Sequence, residues 1–304
     1  MLSTEIPAKF RQNANYTLLL AEFRLARSQH TCEDNTKMYS TVVITGASSG
    51  FGAAFAQQLA PQCEHMVLIA RSEDKLRTLA AELESTHRTK VEVCPCDLSA
   101  PAARAQLVEK LSMLSGSKLM LINNAGLGDY GDFCTSTPAT NRTLMEVNIT
   151  APVELTRAML PAMLQAESAH IINIASLAAD LAIPDFAMYA ASKAFVASFS
   201  EALRLELAKT HIHVTAVCPG PVHTGFGDVA RRTGKSKKEV PFRKWFYTSI
   251  PCVVKSALNA VQHNKPRCYP SFKIRLAGLF VRNAPLWLLR MIMGTRPRKA
   301  VPLS

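Results

Sequence analysis

Between residues 41 and 217 the chain repeats one pattern: a run of four to six mostly apolar residues, a polar turn, then an amphipathic stretch of helical period. The apolar runs fall at 41–45, 65–70, 91–94, 119–122, 170–175 and 213–217. Helical stretches fall between them at 50–59, 73–84, 101–114, 141–163 and 187–208. Pro61 closes the first helix, and Pro101 opens the third, where a missing N–H costs little. Pro152 predicts a kink in the fourth. Strands that are apolar throughout, without in–out alternation, must be covered on both faces. Alternation with helices then predicts an α/β fold, a doubly wound parallel sheet of about seven strands. Ligands of such sheets bind beyond the carboxyl ends of the strands.

Composition narrows the classes. Of 304 residues, 48% are hydrophobic, which excludes a disordered chain. The net charge of +12 is unevenly placed: residues 1–227 carry about −3. Residues 228–244 hold seven basic and two acidic residues, and residues 265–304 hold nine basic and no acidic ones. A nucleic acid, an anionic membrane or an acidic ligand would suit that basic end, as would plain solvation. No nucleic-acid-reading module accompanies the charge, so no nucleic acid partner is expected. The eight cysteines form no C-x-x-C pair, and Cys94 and Cys96 lack histidine partners for zinc. They read as reduced thiols of a cytoplasmic protein with no metal site. Residues 276–293 contain Arg282 and Arg290, so an ordinary spanning helix is not expected. The apolar run at 17–21 is too short for a signal peptide.

Three groups of residues carry chemistry. Thr45-Gly46-Ala47-Ser48-Ser49-Gly50-Phe51-Gly52 follows a strand and opens a helix. Glycines there let the backbone turn and approach a pyrophosphate, and the helix N-terminus stabilises its charge. At the end of the second strand, where an acid would select NAD, the chain has Ala70 and Arg71. A guanidinium suits a 2′-phosphate and favours NADP. Tyr189 and Lys193 lie four apart and share one helix face, and Ser176 ends the fifth strand. A phenol of pKa near 10 is a poor proton carrier at neutral pH unless a nearby ammonium lowers it.

Taken in order, TGASSGFG, Asn123-Asn124-Ala125-Gly126, Asn148, Ser176, Tyr189 and Lys193 resemble the short-chain dehydrogenase/reductase family, over residues 41–268. The resemblance implies a Rossmann-type fold and an NADP(H)-dependent oxidoreductase acting between carbonyl and alcohol. It implies a cofactor site of Gly46, Ser48, Ser49, Gly50, Phe51, Gly52, Arg71, Asp97, Leu98, Asn124, Ala125, Gly126, Pro219, Gly220, Val222 and Thr224, shared with Tyr189 and Lys193. Asp97 would hold the adenine. Phe51 stands where the family has Ile or Leu. The implied catalytic set is Asn148, Ser176, Tyr189 and Lys193. Homodimers or homotetramers are implied too, paired through the helices near 141–163 and 187–208. The alternative is a non-catalytic NADP-binding regulatory protein, although such a protein would be expected to lose one of Ser176, Tyr189 or Lys193.

The expected organisation is an appendage at 1–40, partly flexible, a catalytic domain at 41–270 with a substrate lid at 224–250, and a basic amphipathic segment at 271–304. In residues 273–293 Arg275, Arg282 and Arg290 are seven and eight apart, one stripe if the helix were continuous, and Pro285 should break it. That segment suits either a membrane interface with anionic lipid or packing on the protein or a partner subunit. The tail is similar to those of ketoacyl-reductase-like members of the family, which implies a ketone, 3-oxoacyl or other hydrophobic substrate.

Overall fold

The computed structural model describes residues 38–222, 230 and 247–294. Seven strands form one parallel sheet in the order β3-β2-β1-β4-β5-β6-β7. They are β1 (Tyr39–Thr45), β2 (Cys63–Ala70), β3 (Lys90–Pro95), β4 (Lys118–Asn123), β5 (Ser168–Ile174), β6 (Ile212–Val217) and β7 (Arg267–Cys268). The described helices include α1 (Gly50–Leu59), α2 (Glu73–Thr86), α3 (Pro101–Ser112), α4 (Pro138–Met145), α5 (Ala151–Gln165), α6 (Ala187–Glu206), α7 (Ile250–Gln262), α8 (Phe272–Asn283) and α9 (Leu286–Gly294).

The apolar runs behave as their lack of alternation requires. Successive side chains point to opposite faces, so Val42, Ile44, Met66, Leu68, Met120 and Ile122 enter one core with residues of α1, α2 and α7. Val43, Val67, Ile69, Leu119 and Leu121 enter a second core with residues of α3, α5 and α6. Both faces are thereby dry, as a Rossmann-type sheet demands.

One expectation needs correction. The helix expected over 141–163 is two helices, α4 and α5, joined by a π-turn at Glu146–Thr150. Pro152 has no N–H to offer the Asn148 carbonyl four residues back, so the helical ladder slips there and Ala151 donates to Glu146. The fault thus falls on the turn before the proline. At Pro285 the expected break occurs: α8 and α9 part there with a bend of 117°, so Arg275, Arg282 and Arg290 do not share one continuous helix. Helix α7 was not expected at all. Pro251 sits in its first turn, and its buried face is Val253, Val254, Ala257, Ala260 and Val261.

The amino-terminal edge of the sheet carries a ring cluster. Tyr39 and His170 stand edge to face at 6.2 Å, and His170 lies 5.6 Å from its cross-strand neighbour His213. Burial, then the nearby His213 charge, push the His170 imidazole down to about 4. A histidine held below its unfolded value of about 6.5 contributes stability above that pH, and the contribution is lost as pH falls toward 4. At about 1.36 kcal/mol per pH unit, the whole interval is worth roughly 3 kcal/mol. Urea unfolding at pH 7 and pH 5 should show wild type losing more stability than His170→Phe. Equal losses would remove His170 as the source.

Candidate active site

The strand order reverses between β1 and β4, so the carboxyl ends of β1, β4, β5 and β6 border one crevice. The glycine-rich turn leaves β1 there. Gly46 and Gly50 take φ of +65° and +58°. A Cβ on Gly52 would lie 2.2 Å from the Gly46 carbonyl oxygen, so no side chain fits. At Gly50, by contrast, a Cβ would meet nothing within 4 Å. Ser49 precedes α1 without a side-chain cap, and the first turn of α1 holds no acid. An uncapped helix start beside open space fits the pyrophosphate of a dinucleotide. Ser48 lies in the same turn, and Phe51 packs partly buried against the core beneath it.

Thr45 fastens this turn to β4. Its hydroxyl accepts from the N–H of Asn124 at 2.9 Å and of Ala125 at 3.0 Å. Asn124 returns its amide to the carbonyls of Thr45 at 2.8 Å and Gly46 at 3.2 Å. Arg71 is exposed just past β2. Asp97 follows β3, and its Oδ1 accepts from the backbone N–H and hydroxyl of Ser99 at 2.9 and 2.8 Å. Those two bonds, with a smaller pull from Arg71, hold the Asp97 carboxyl below its usual range. Leu98 is buried beside it.

Asn148 sits in the π-turn and is 1% exposed. Its side chain clasps the backbone after β4, accepting from the Leu127 N–H at 2.7 Å and donating to the Leu127 carbonyl at 2.9 Å. It also donates to Ser192 at 2.9 Å, and Ser192 donates to the Tyr189 carbonyl at 2.8 Å. Gly126 leaves room for this meeting: a Cβ there would be 3.2 Å from Lys193 Nζ and 3.5 Å from Asn148 Oδ1. Lys193 is 4% exposed, and its ammonium donates to the Ile174 carbonyl at 2.7 Å. Burial pushes it down to about 8. Ser176 follows β5 and accepts from the Ala178 N–H at 3.1 Å. Its hydroxyl is near enough to the Tyr189 phenol to draw that pKa down.

The Tyr189 phenol departs from expectation. Burial raises its pKa, offset in part by Ser176. Lys193 Nζ stands 5.9 Å from the ring centroid and donates to the Ile174 carbonyl. Pro219 accepts from the Leu177 N–H at 2.8 Å, tying the strand β6 exit to the Ser176 turn. Gly220 and Val222 continue that exit, and Val222 pairs with Thr248. Residues 224–229 and 231–246 of the expected lid, Thr224 among them, lie outside the described residues. A hollow of about 560 Å³ beside α6 is lined by Leu181, Ile183, Ala187 and Ala191 among others. Ser176, Tyr189 and Lys193 do not line it.

Residues 40–234 match the family model for short chain dehydrogenases. The chain belongs to the short-chain dehydrogenase/reductase family. This dehydrogenase is 35% identical over 266 residues to dehydrogenase/reductase SDR family member 7B of Bos taurus, covering 86% of the chain and 82% of the relative. A short-chain dehydrogenase from Sphingobium yanoikuyae solved in complex with NADPH is similar at 30% identity and a TM-score of 0.70, covering 86% and 99% of the two chains. One from Burkholderia phymatum in complex with NAD is 26% identical with a TM-score of 0.69, covering 89% and 100%. The chain is therefore an oxidoreductase of an NAD(P)-binding family.

Several supporting contacts of this dehydrogenase escaped the sequence reading. Asn123 donates to Asn173 at 2.8 Å and Asn173 to Ser200 at 2.9 Å, a buried chain from β4 through β5 to α6. Nothing in linear spacing links these three. Arg104, 3% exposed, donates to the Leu98 carbonyl at 2.7 Å and pairs with Glu146 at 2.7 Å and Glu154 at 2.6 Å. Its signal was present: residues 104, 107 and 111 share the buried stripe of α3.

Proposed function

We propose that this dehydrogenase is an NADPH-dependent reductase of carbonyl compounds, with Asn148, Ser176, Tyr189 and Lys193 as its working side chains. The observation that carries the reading is the buried Lys193 with its ammonium 5.9 Å from the Tyr189 ring, beside the Ser176 turn and the crevice where the glycine-rich turn opens. Residues 46–52 would hold the pyrophosphate, Arg71 the 2′-phosphate, and Asp97 and Leu98 the adenine. Asn124, Ala125, Gly126, Pro219, Gly220 and Val222 would line the remainder, with Thr224 of the sequence. When bound, the nicotinamide supplies the hydride.

Ser176 holds the substrate carbonyl oxygen by its hydroxyl. Tyr189 then gives its phenolic proton to that oxygen as the carbonyl carbon becomes a C–H carbon, and the product is the alcohol. With the cofactor bound, Lys193 would hold the nicotinamide ribose, and its ammonium would offset the charge left on the phenolate. Asn148 holds the π-turn in place, and its backbone carbonyl, released by Pro152, positions a water that returns the proton through Lys193.

Titration of nicotinamide fluorescence with NADPH and NADH, followed by a screen of ketones with the tighter cofactor, tests the reading. Wild type should prefer NADPH. In Arg71→Asp the loss of a charge-assisted contact of about 1.5–3 kcal/mol should weaken NADPH by roughly ten- to a hundredfold. NADH should be little affected. A wild-type preference for NADH, or an unchanged ratio in the variant, would defeat the NADP assignment.

A further inference from the structure

We propose that helices α8 and α9 seat this dehydrogenase in the plane of an anionic lipid bilayer, and that its carbonyl substrates are apolar molecules that reach Tyr189 from that bilayer. The second half rests on the reductase reading above; the first does not.

Each of the two helices has an inner and an outer face. On α8, Ile274, Gly278 and Val281 recur at helical spacing and are buried. A Cβ on Gly278 would come within 2.5 Å of the Tyr269 ring, so the helix lies directly on the body of the protein. Tyr269 is itself pinned, donating to Asp180 at 3.0 Å. On α9, Leu289 and Met293 pack into the cluster that includes Ile183, Phe186 and Tyr189. The outer faces are different. Phe272 is 72% exposed and Trp287 64%, and Leu276, Phe280, Leu286 and Met291 are exposed with them. Soluble monomers seldom leave so many large apolar side chains together in water. Exposed Lys273, Arg275, Arg282 and Arg290 are interspersed among them.

The geometry selects an in-plane seat. Among the described residues no single helix is long and apolar enough to cross a membrane, and the pair is bent by 117°. Spanning would also strip Ile274, Val281, Leu289 and Met293 from their contacts on the body. Charge selects the occupant. Residues 265–304 hold nine basic residues and no acidic one. A second copy of this face would set like charges against each other, whereas anionic headgroups neutralise them while the acyl boundary takes the aromatic and aliphatic side chains. Trp287 among arginines is a composition suited to the headgroup level. Leu289 and Met293 of α9 pack against the same buried cluster as Tyr189, so the proposed route from lipid to the phenol runs past this helix. Ketones dissolved in the acyl layer meet it first.

The test uses the full chain in a Trp245→Phe background, so that Trp287 is the remaining tryptophan of the two. Vesicles of phosphatidylcholine with and without phosphatidylglycerol are added, some carrying brominated acyl chains. We expect co-sedimentation with the anionic vesicles, a blue shift of Trp287 emission and quenching by bromine. A second protein, with Phe272→Ser and Phe280→Ser added in the same background, should bind about tenfold more weakly. These sites are exposed, and an unchanged circular dichroism melt verifies the fold. Unquenched Trp287, equal pelleting of both proteins, or a patch satisfied instead by self-association would overturn the docking. For the substrate, the double variant should lose kcat/KM on a vesicle-borne long-chain ketone and keep it on a short water-soluble ketone. Equal losses on both would overturn lateral access. Vesicle binding without turnover of any ketone would defeat the reductase reading while leaving the docking intact.

Discussion

Tyr189→Phe should lower kcat/KM for carbonyl reduction by about 10²- to 10⁴-fold, the usual worth of a positioned general acid, while NADPH affinity stays within about twofold. The substitution keeps the ring, including its edge-to-face contact with Phe186 at 5.1 Å. It removes only the O–H that would protonate the carbonyl oxygen in the proposed mechanism. Lys193 adds a pH signature. Its ammonium, lowered by burial to about 8, is lost as pH rises through that value. Reduction by wild type should therefore decline above about pH 8. The residual rate of Tyr189→Phe should lose that limb if the ammonium acts through the phenol. Steady-state kinetics on a ketone found by screening, run across pH, check both. Full turnover by Tyr189→Phe would sink the mechanism.

Arg104→Leu should cost about 3 kcal/mol of stability, at the low end of the range for breaking a buried ion pair. The low end applies because the abandoned Glu146 and Glu154 side chains are 33% and 41% exposed and can be rehydrated. The Leu98 carbonyl loses its donor as well. Arg104 joins three elements, α3, the π-turn and α5, so its removal should also loosen the turn that presents Asn148. Urea midpoints measure the first effect. A drop in kcat of the folded variant, at a temperature well below its transition, measures the second. A stability loss under about 1 kcal/mol would mean that the arginine is not the fastener its contacts imply.

The sheet was legible because its chemistry is local. Apolar runs such as those around Val43 and Leu121 have no polar face, and that alone demands cover on both sides. The glycine-rich turn was legible for a similar reason, since Gly46, Gly50 and Gly52 answer to backbone shape within a few residues. Helix α7 was not. Its opening proline follows a basic stretch that reads as loop, and its apolar stripe of Val253, Val254 and Ala257 gains meaning only once the first core is seen to need a lid. The π-turn was half legible: Pro152 announced a fault, but not that the carbonyl released belongs to Asn148. The Asn123–Asn173–Ser200 chain and the Thr45 fastening join residues 27 to 80 positions apart, and no period or spacing in one sequence encodes such meetings.

The parallel bridge between Val222 and Thr248, reinforced by the Thr248 N–H on the Pro221 carbonyl at 3.1 Å, brings the two feet of the intervening segment together on the scaffold. A stretch of chain with fixed feet is an interchangeable part. Doubling its length adds only about 0.6 kcal/mol of closure cost, so it can be lengthened, shortened or swapped with little effect on the sheet beneath. Under the proposed reading, in which this segment covers the substrate, selectivity would diverge in one cassette while Ser176 after β5 and Tyr189 and Lys193 on α6 stay fixed. A segment from another reductase grafted between Pro221 and Thr248 should carry its donor's preference with it.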